Sequence, residues 1–95
     1  MLSRWPNDKV IVLIFLAKIY VSFKPTINDP EGHTVLGALK NLGFNTVSDV
    51  RTGKFIQIKL ESSETATARE QVEEMCEKLL SNPVIEDYWF ELEAI

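Results

Sequence analysis

Two alternating apolar segments near the ends, two amphipathic helix signatures between them, and a glycine-bearing turn at the centre predict an α+β chain. The order read from the sequence is β-α-β-β-α-β. At 95 residues the chain suffices for one domain with a single modest core. Hydrophobic residues make up 45% and charged residues 25%, an ordinary globular balance rather than that of a disordered segment.

The first strand is read from Ala17, Ile19, Val21 and Phe23 alternating with Lys18, Tyr20, Ser22 and Lys24, the period of a half-buried strand. Pro25 ends it. Asp29-Pro30-Glu31 then opens a helix: Asp29 caps free amides, Pro30 sits where its missing N–H costs nothing, and Glu31 favours the positive dipole end. Val35, Leu36, Leu39 and Leu42 follow at helical spacing, and Gly43 supplies a left-handed stop after which Phe44 can pack back on Leu39.

Val47 to Leu60 reads as two strands joined by a tight turn at Arg51-Thr52-Gly53-Lys54, with Gly53 expected at positive φ. Ile56, Ile58 and Leu60 face the core, and Phe55, Gln57 and Lys59 the other side. Ser62 and Ser63 offer caps for a second helix over about Glu64 to Ser81, whose apolar stripe is Ala68, Val72, Met75, Cys76, Leu79 and Leu80. Asn82-Pro83 reads as the helix stop. Tyr88, Phe90 and Leu92 then alternate with Asp87, Trp89, Glu91 and Glu93 in a final strand. Right-handed crossovers fold this order into an antiparallel sheet with both helices on one face, a ferredoxin-like arrangement.

Composition narrows function. The net charge of −4 repels a phosphate backbone and argues against nucleic acid. A single cysteine, Cys76, excludes an internal disulfide framework and fits a reducing, cytoplasmic setting. The apolar run Val10 to Ala17 falls well short of the ~20 residues that cross a bilayer. It also lacks a strong basic flank and a small-x-small cleavage site, so no membrane association is expected.

Catalytic constellations are absent. His33 has only Glu31 and Asp29 as neighbours able to exchange a proton, and reads as a surface helix residue. Cys76 lies in an apolar stripe, and Glu73, Glu74 and Glu77 beside it would raise a thiol pKa, so it reads as an inert buried thiol. One His and one Cys with helix-face glutamates make no metal site, and no phosphate-cradling glycine loop is present.

The informative set is aromatic. Tyr20, Phe55 and Trp89 should share the sheet face that the helices leave uncovered, which is more apolar surface than solubility favours. RNA stacking is one reading, since RNA-recognition sheets carry aromatics on central strands. Arg51-Thr52-Gly53-Lys54-Phe55-Ile56 matches that pattern only loosely, and Asp87, Glu91 and Glu93 beside Trp89 oppose it. Burial against a second copy is the favoured reading, with Tyr20, Phe55 and Trp89 as dimer interface.

Three ordered segments carry a family likeness. Lys18-Ile19-Tyr20-Val21-Ser22-Phe23-Lys24-Pro25 with Asn28-Asp29-Pro30-Glu31-Gly32, then Leu42-Gly43-Phe44 with Val50-Arg51-Thr52-Gly53-Lys54-Phe55, then Met75 to Tyr88 resemble the small S subunit (PurS) of phosphoribosylformylglycinamidine synthase. The resemblance spans roughly residues 16–93. Met1 to about Phe15 falls outside the pattern, as an N-terminal extension before a domain of residues 16–95. His33 and Thr34 fall where the pattern varies, and no role is carried onto them.

The resemblance implies a non-catalytic subunit in the fourth step of purine (IMP) synthesis. A glutaminase subunit releases ammonia, and a large synthetase subunit uses ATP and Mg²⁺ to activate formylglycinamide ribonucleotide. The small homodimeric subunit joins the two and binds no cofactor itself. Arg51, Gly53 and Lys54 are carried over as an exposed cationic turn suited to a partner's carboxylates, beside their plain reading as solvated turn charge. Asn82 is carried over as a partner contact beside its plain reading as the helix stop. The alternative class is a regulatory module of the same topology that binds a small metabolite.

Overall fold

A computed structural model describes residues 12–95. Three strands and two helices follow in the order β1 (Leu13–Phe23), α1 (Pro30–Asn41), β2 (Gly53–Ser62), α2 (Thr65–Met75) and β3 (Glu86–Ala94). The sheet is antiparallel with order β2-β1-β3. Ile19 faces Ile56 on one side and Phe90 on the other, and Tyr20 faces Phe55 and Trp89.

Alternation on β1 divides the sheet into two faces. Phe15, Ala17, Ile19 and Val21 are buried, each at most 2% exposed. Against them lie Val72 of α2 and Cys76 just after it, with Ile56, Ile58, Leu60, Leu80, Tyr88, Phe90 and Leu92 around the rim; Ala68 of α2 is also fully buried. Each fully buried aliphatic side chain stabilises the fold by about 1.5–3 kcal/mol. The strand reaches back to Leu13, which pairs with Ser62, so the apolar run beginning at Val10 is in part the first strand. Residues 1–11 of the expected extension lie outside the described residues.

The α+β architecture and antiparallel sheet match the sequence reading, with one strand fewer. The segment 47–52, expected to form a strand and hairpin turn, makes no ladder pairs. Its polar groups are drawn elsewhere: Thr52 N–H donates to Asp29 Oδ2 at 2.6 Å, and Arg51 Nη2 donates to the Lys24 and Ile27 carbonyls at 3.0 and 2.9 Å. With those bonds taken by the β1–α1 loop, no hairpin partner is needed.

Gly53 therefore serves a different purpose from the one expected. It opens β2 opposite Ser22, and the positive-φ glycine is Gly43 at φ 99°. A Cβ on Gly53 would stand 2.5 Å from the Val21 carbonyl oxygen, so close backbone approach demands the glycine.

Helix α1 behaves as its sequence reads. Asp29 accepts from Gly32 N–H at 2.9 Å as N-cap. Gly43 N–H donates to Lys40 O and Phe44 N–H to Leu39 O, both at 3.0 Å, the paired bonds of a Schellman stop. Among its residues Gly32 is the buried one, while Val35 is 37% exposed. Just past its end, Leu42 and Phe44 are 74% and 55% exposed. Among the described residues, α2 is the helix that covers the core face.

Helix α2 ends in a widened π turn, Cys76–Leu80. Ser81 N–H donates to Cys76 O at 3.0 Å, five residues back, and Ser81 Oγ adds a second bond at 2.9 Å. The extra residue in the turn shifts the stripe: Leu80 packs on the core, and Leu79, expected inside, is 81% exposed. The helix stop falls on Ser81 in extended conformation, one residue before the expected Asn82.

Candidate functional site

Alternation along the three strands sends every second side chain to the face that α2 does not cover, and there the aromatics meet. The Tyr20 and Trp89 rings stack with centroids 4.3 Å apart and planes 14° from parallel. Phe55 packs from the other side at 5.0 Å and 33°. Cross-strand neighbours of this kind stabilise a sheet by up to about 1 kcal/mol per pair. Phe55 and Trp89 nonetheless remain 54% and 57% exposed. Tyr20, half-buried between them, is the hub of a contiguous platform.

Charged side chains flank this platform on all three strands. On β3 the same face carries Asp87, Glu91 and Glu93; on β1 and β2 it carries Lys18, Gln57, Lys59 and Glu61. Lys18 Nζ lies 3.7 Å from Glu93 Oε1 and Lys24 Nζ 2.9 Å from Asp87 Oδ1. Exposed pairs of this type contribute little to stability, so they leave the charges available to a partner.

At the end of the sheet the loops converge on a polar corner. The Asp29 carboxylate, 3% exposed, accepts from the Thr52 and Gly32 amides and from Thr52 Oγ1 at 3.0 Å. Hydrogen bonds from the Thr52 amide first, then the Gly32 amide, hold its pKa below the ordinary carboxylate value, with Arg51 adding a smaller attraction. Arg51, expected as a free cation, spends one nitrogen on the carbonyls of Lys24 and Ile27.

Lys54 projects from the same corner, 58% exposed, with Nζ 3.9 Å from Glu86 Oε2. Glu86 Oε1 accepts from Asn82 N–H at 2.7 Å, and Asn82 Oδ1 accepts from Val84 N–H at 3.1 Å. Asn82, distant in sequence, thus lies at the same corner as Arg51, Gly53 and Lys54, with Glu86 linking Lys54 to Asn82. Sequence reasoning missed Glu86 and Thr52; the only signal for either was a polar residue at a strand boundary. A cleft of about 250 Å³ opens here between Ser22, Thr52, Gly53, Lys54, Glu31 and Glu86.

The chemistry available at these places is recognition. No group of three or more His, Cys, Asp or Glu side chains able to hold a metal occurs among the described residues. His33 is exposed on α1. Cys76 is buried, and burial first, then Glu73 and Glu77, raise its pKa, the opposite of what a nucleophilic thiol needs. Tyr88 Oη donates to Glu77 at 2.8 Å, which raises the phenol pKa. No described helix is long and apolar enough to cross a membrane.

Most of the chain is similar to known proteins of one family. The family model described as PurS, phosphoribosylformylglycinamidine (FGAM) synthase, matches residues 16–94. The FGAM synthase subunit PurS of Synechocystis sp. is 46% identical over 78 residues, 82% of this chain and 78% of that protein. The subunit of Methanocaldococcus jannaschii is 44% identical over 82 residues, 86% of this chain and 99% of that one. The solved Bacillus subtilis PurS superposes with TM-score 0.76 at 46% identity, covering 83% of this chain and 98% of that chain. A chain of the Thermotoga maritima PurLQS structure matches with TM-score 0.75 at 33% identity, covering 86% and 98%.

Proposed function

The chain belongs to the PurS family of phosphoribosylformylglycinamidine synthase subunits, and on that premise we propose that it joins the glutaminase and large synthetase subunits of that enzyme. The complex it serves makes formylglycinamidine ribonucleotide in purine biosynthesis. It is an amidoligase whose ammonia comes from glutamine and whose ATP and Mg²⁺ are used by the large subunit. The chain itself contributes surfaces rather than reacting groups, and it works in the cytoplasm.

The observation that carries this reading is the match of one family over residues 16–94 to a fold whose exposed features are recognition surfaces. The aromatic platform of Tyr20, Phe55 and Trp89 is assigned to self-association. The corner of Arg51, Gly53, Lys54 and Asn82 is assigned to the other subunits. There Lys54 offers the cation and Arg51 chiefly holds the loop in place. The relative in the PurLQS structure supports placing this chain beside the same two partners.

Sedimentation of the three purified subunits tests it. A single faster-migrating species is expected from the mixture, and lost when this chain is left out. Independent migration of all three would overturn the assignment. The polar cleft beside Lys54 favours a second reading, a metabolite-sensing module. Specific thermal stabilisation by amino acids or nucleotides without partners would support that instead.

A further inference from the structure

The cleft at the polar corner carries charge of both signs beside an apolar wall. Val21 and Phe23 of β1 line it, and its charged residues are Glu31, Lys54 and Glu86. Glu86 is mostly buried, its side chain 13% exposed against 58% for Lys54. The Asn82 amide donates to its Oε1 at 2.7 Å. Its Oε2 faces Lys54 Nζ at 3.9 Å, beyond hydrogen-bonding distance. A carboxylate and an ammonium thus stand side by side without closing on each other, each with bonding capacity to spare.

Arg51 adds no cation here, because its guanidinium turns to the Lys24 and Ile27 carbonyls. Two carboxylates against one ammonium set the charge of the cleft, which disfavours phosphate and every nucleotide. Its volume, about 250 Å³, also falls below the roughly 300–1,000 Å³ of pockets that hold drug-sized ligands. A fitting ligand is small and carries both a cation and an anion.

We propose that this cleft binds a free α-amino acid as its zwitterion. The inference goes beyond the joining role and rests on the metabolite reading of the cleft, whose ligand class it names. The ligand's ammonium donates to Glu86 Oε2, with Glu31 adding a second negative charge. Its carboxylate accepts from Lys54 Nζ. The two ligand charges share one carbon, with N and carboxyl C roughly 2.5 Å apart, which suits an acceptor and a donor set side by side. Both contacts belong to the strong, charge-assisted class.

Calorimetric titration of the intact chain with glycine and with L-glutamine tests the site. Methylamine and acetate serve as half-ligands, and inorganic phosphate as the wrong charge. At least one amino acid should bind saturably, and about tenfold or more tighter than either half-ligand, which lacks one charged hydrogen bond. Glu86→Gln keeps an acceptor for the Asn82 amide, and Lys54→Gln alters an exposed side chain, so both should melt like the wild type. Each should weaken amino-acid binding about tenfold or more. Binding of neither amino acid, equal affinity for a half-ligand, tighter binding of phosphate, or undiminished affinity in both variants overturns the site. Sedimentation separates the two readings. A chain that joins the other subunits but takes no amino acid loses this inference alone; one that takes it but migrates independently loses the joining role alone.

Discussion

Asp29 and Thr52, 23 residues apart, are joined by three hydrogen bonds: the Thr52 amide donates at 2.6 Å, and Thr52 Oγ1 lies 3.0 Å from each carboxylate oxygen. The same carboxylate caps α1 through Gly32. One buried side chain thus starts a helix and fixes the segment that enters β2.

Removing that side chain should cost more than a cap. Asp29→Ala leaves two amides unpaired, and a fall in Tm of at least about 5 °C is expected by calorimetry. Acid titration gives the sign. The folded-state pKa of Asp29 lies below its ordinary value of 3.8, so its contribution is full above pH 3.8 and fades as pH falls through the lower folded value. Denaturant midpoints of the Asp29→Asn chain should therefore depend less on pH in that acid range than those of the wild type. Parallel curves would deny the role.

Gly53 is a steric requirement. Gly53→Val places a Cβ against the Val21 carbonyl, 2.5 Å away on an unrelaxed backbone, and should destabilise by roughly 1–3 kcal/mol. Urea unfolding measures it. Full stability would mean that β1 and β2 approach less closely than described.

The core is thin, with one helix over three strands. Ile19, at 0% exposure, sits at its centre between Ile56 and Phe90. Ile19→Ala should cost about 2–5 kcal/mol, a large part of the stability of a domain this size. Chemical denaturation giving a loss under 1 kcal/mol would place the core elsewhere.

Cys76 offers a chemical probe of the same core. Buried under the sheet, with its pKa raised first by desolvation and then by Glu73 and Glu77, it should resist alkylation at neutral pH. Mass spectrometry after iodoacetamide should show modification only once denaturant opens the fold. Rapid labelling of the native chain would contradict its burial.

The sequence made local rules legible and left long-range polar contacts hidden. Asp29, Pro30 and Gly43 announce α1 to the residue because capping depends on neighbours within one turn. Alternation placed Tyr20, Phe55 and Trp89 together because strand side chains repeat every two residues. The expected hairpin at Arg51–Lys54 does not form, since Thr52 and Arg51 bond to a loop more than twenty residues away. The π turn after Cys76 likewise moved Leu79 outward against a good helical stripe. At the polar corner, Glu86 looked like one more acidic residue until it was seen to tie Lys54 to Asn82.

Glutamine-dependent synthesis of formylglycinamidine ribonucleotide, measured with the large and glutaminase subunits in the presence and absence of this chain, tests the bridging role most directly. The rate should depend on this chain when glutamine is the nitrogen source, and much less when free ammonia is supplied in excess. An equal glutamine-dependent rate without it would contradict the role.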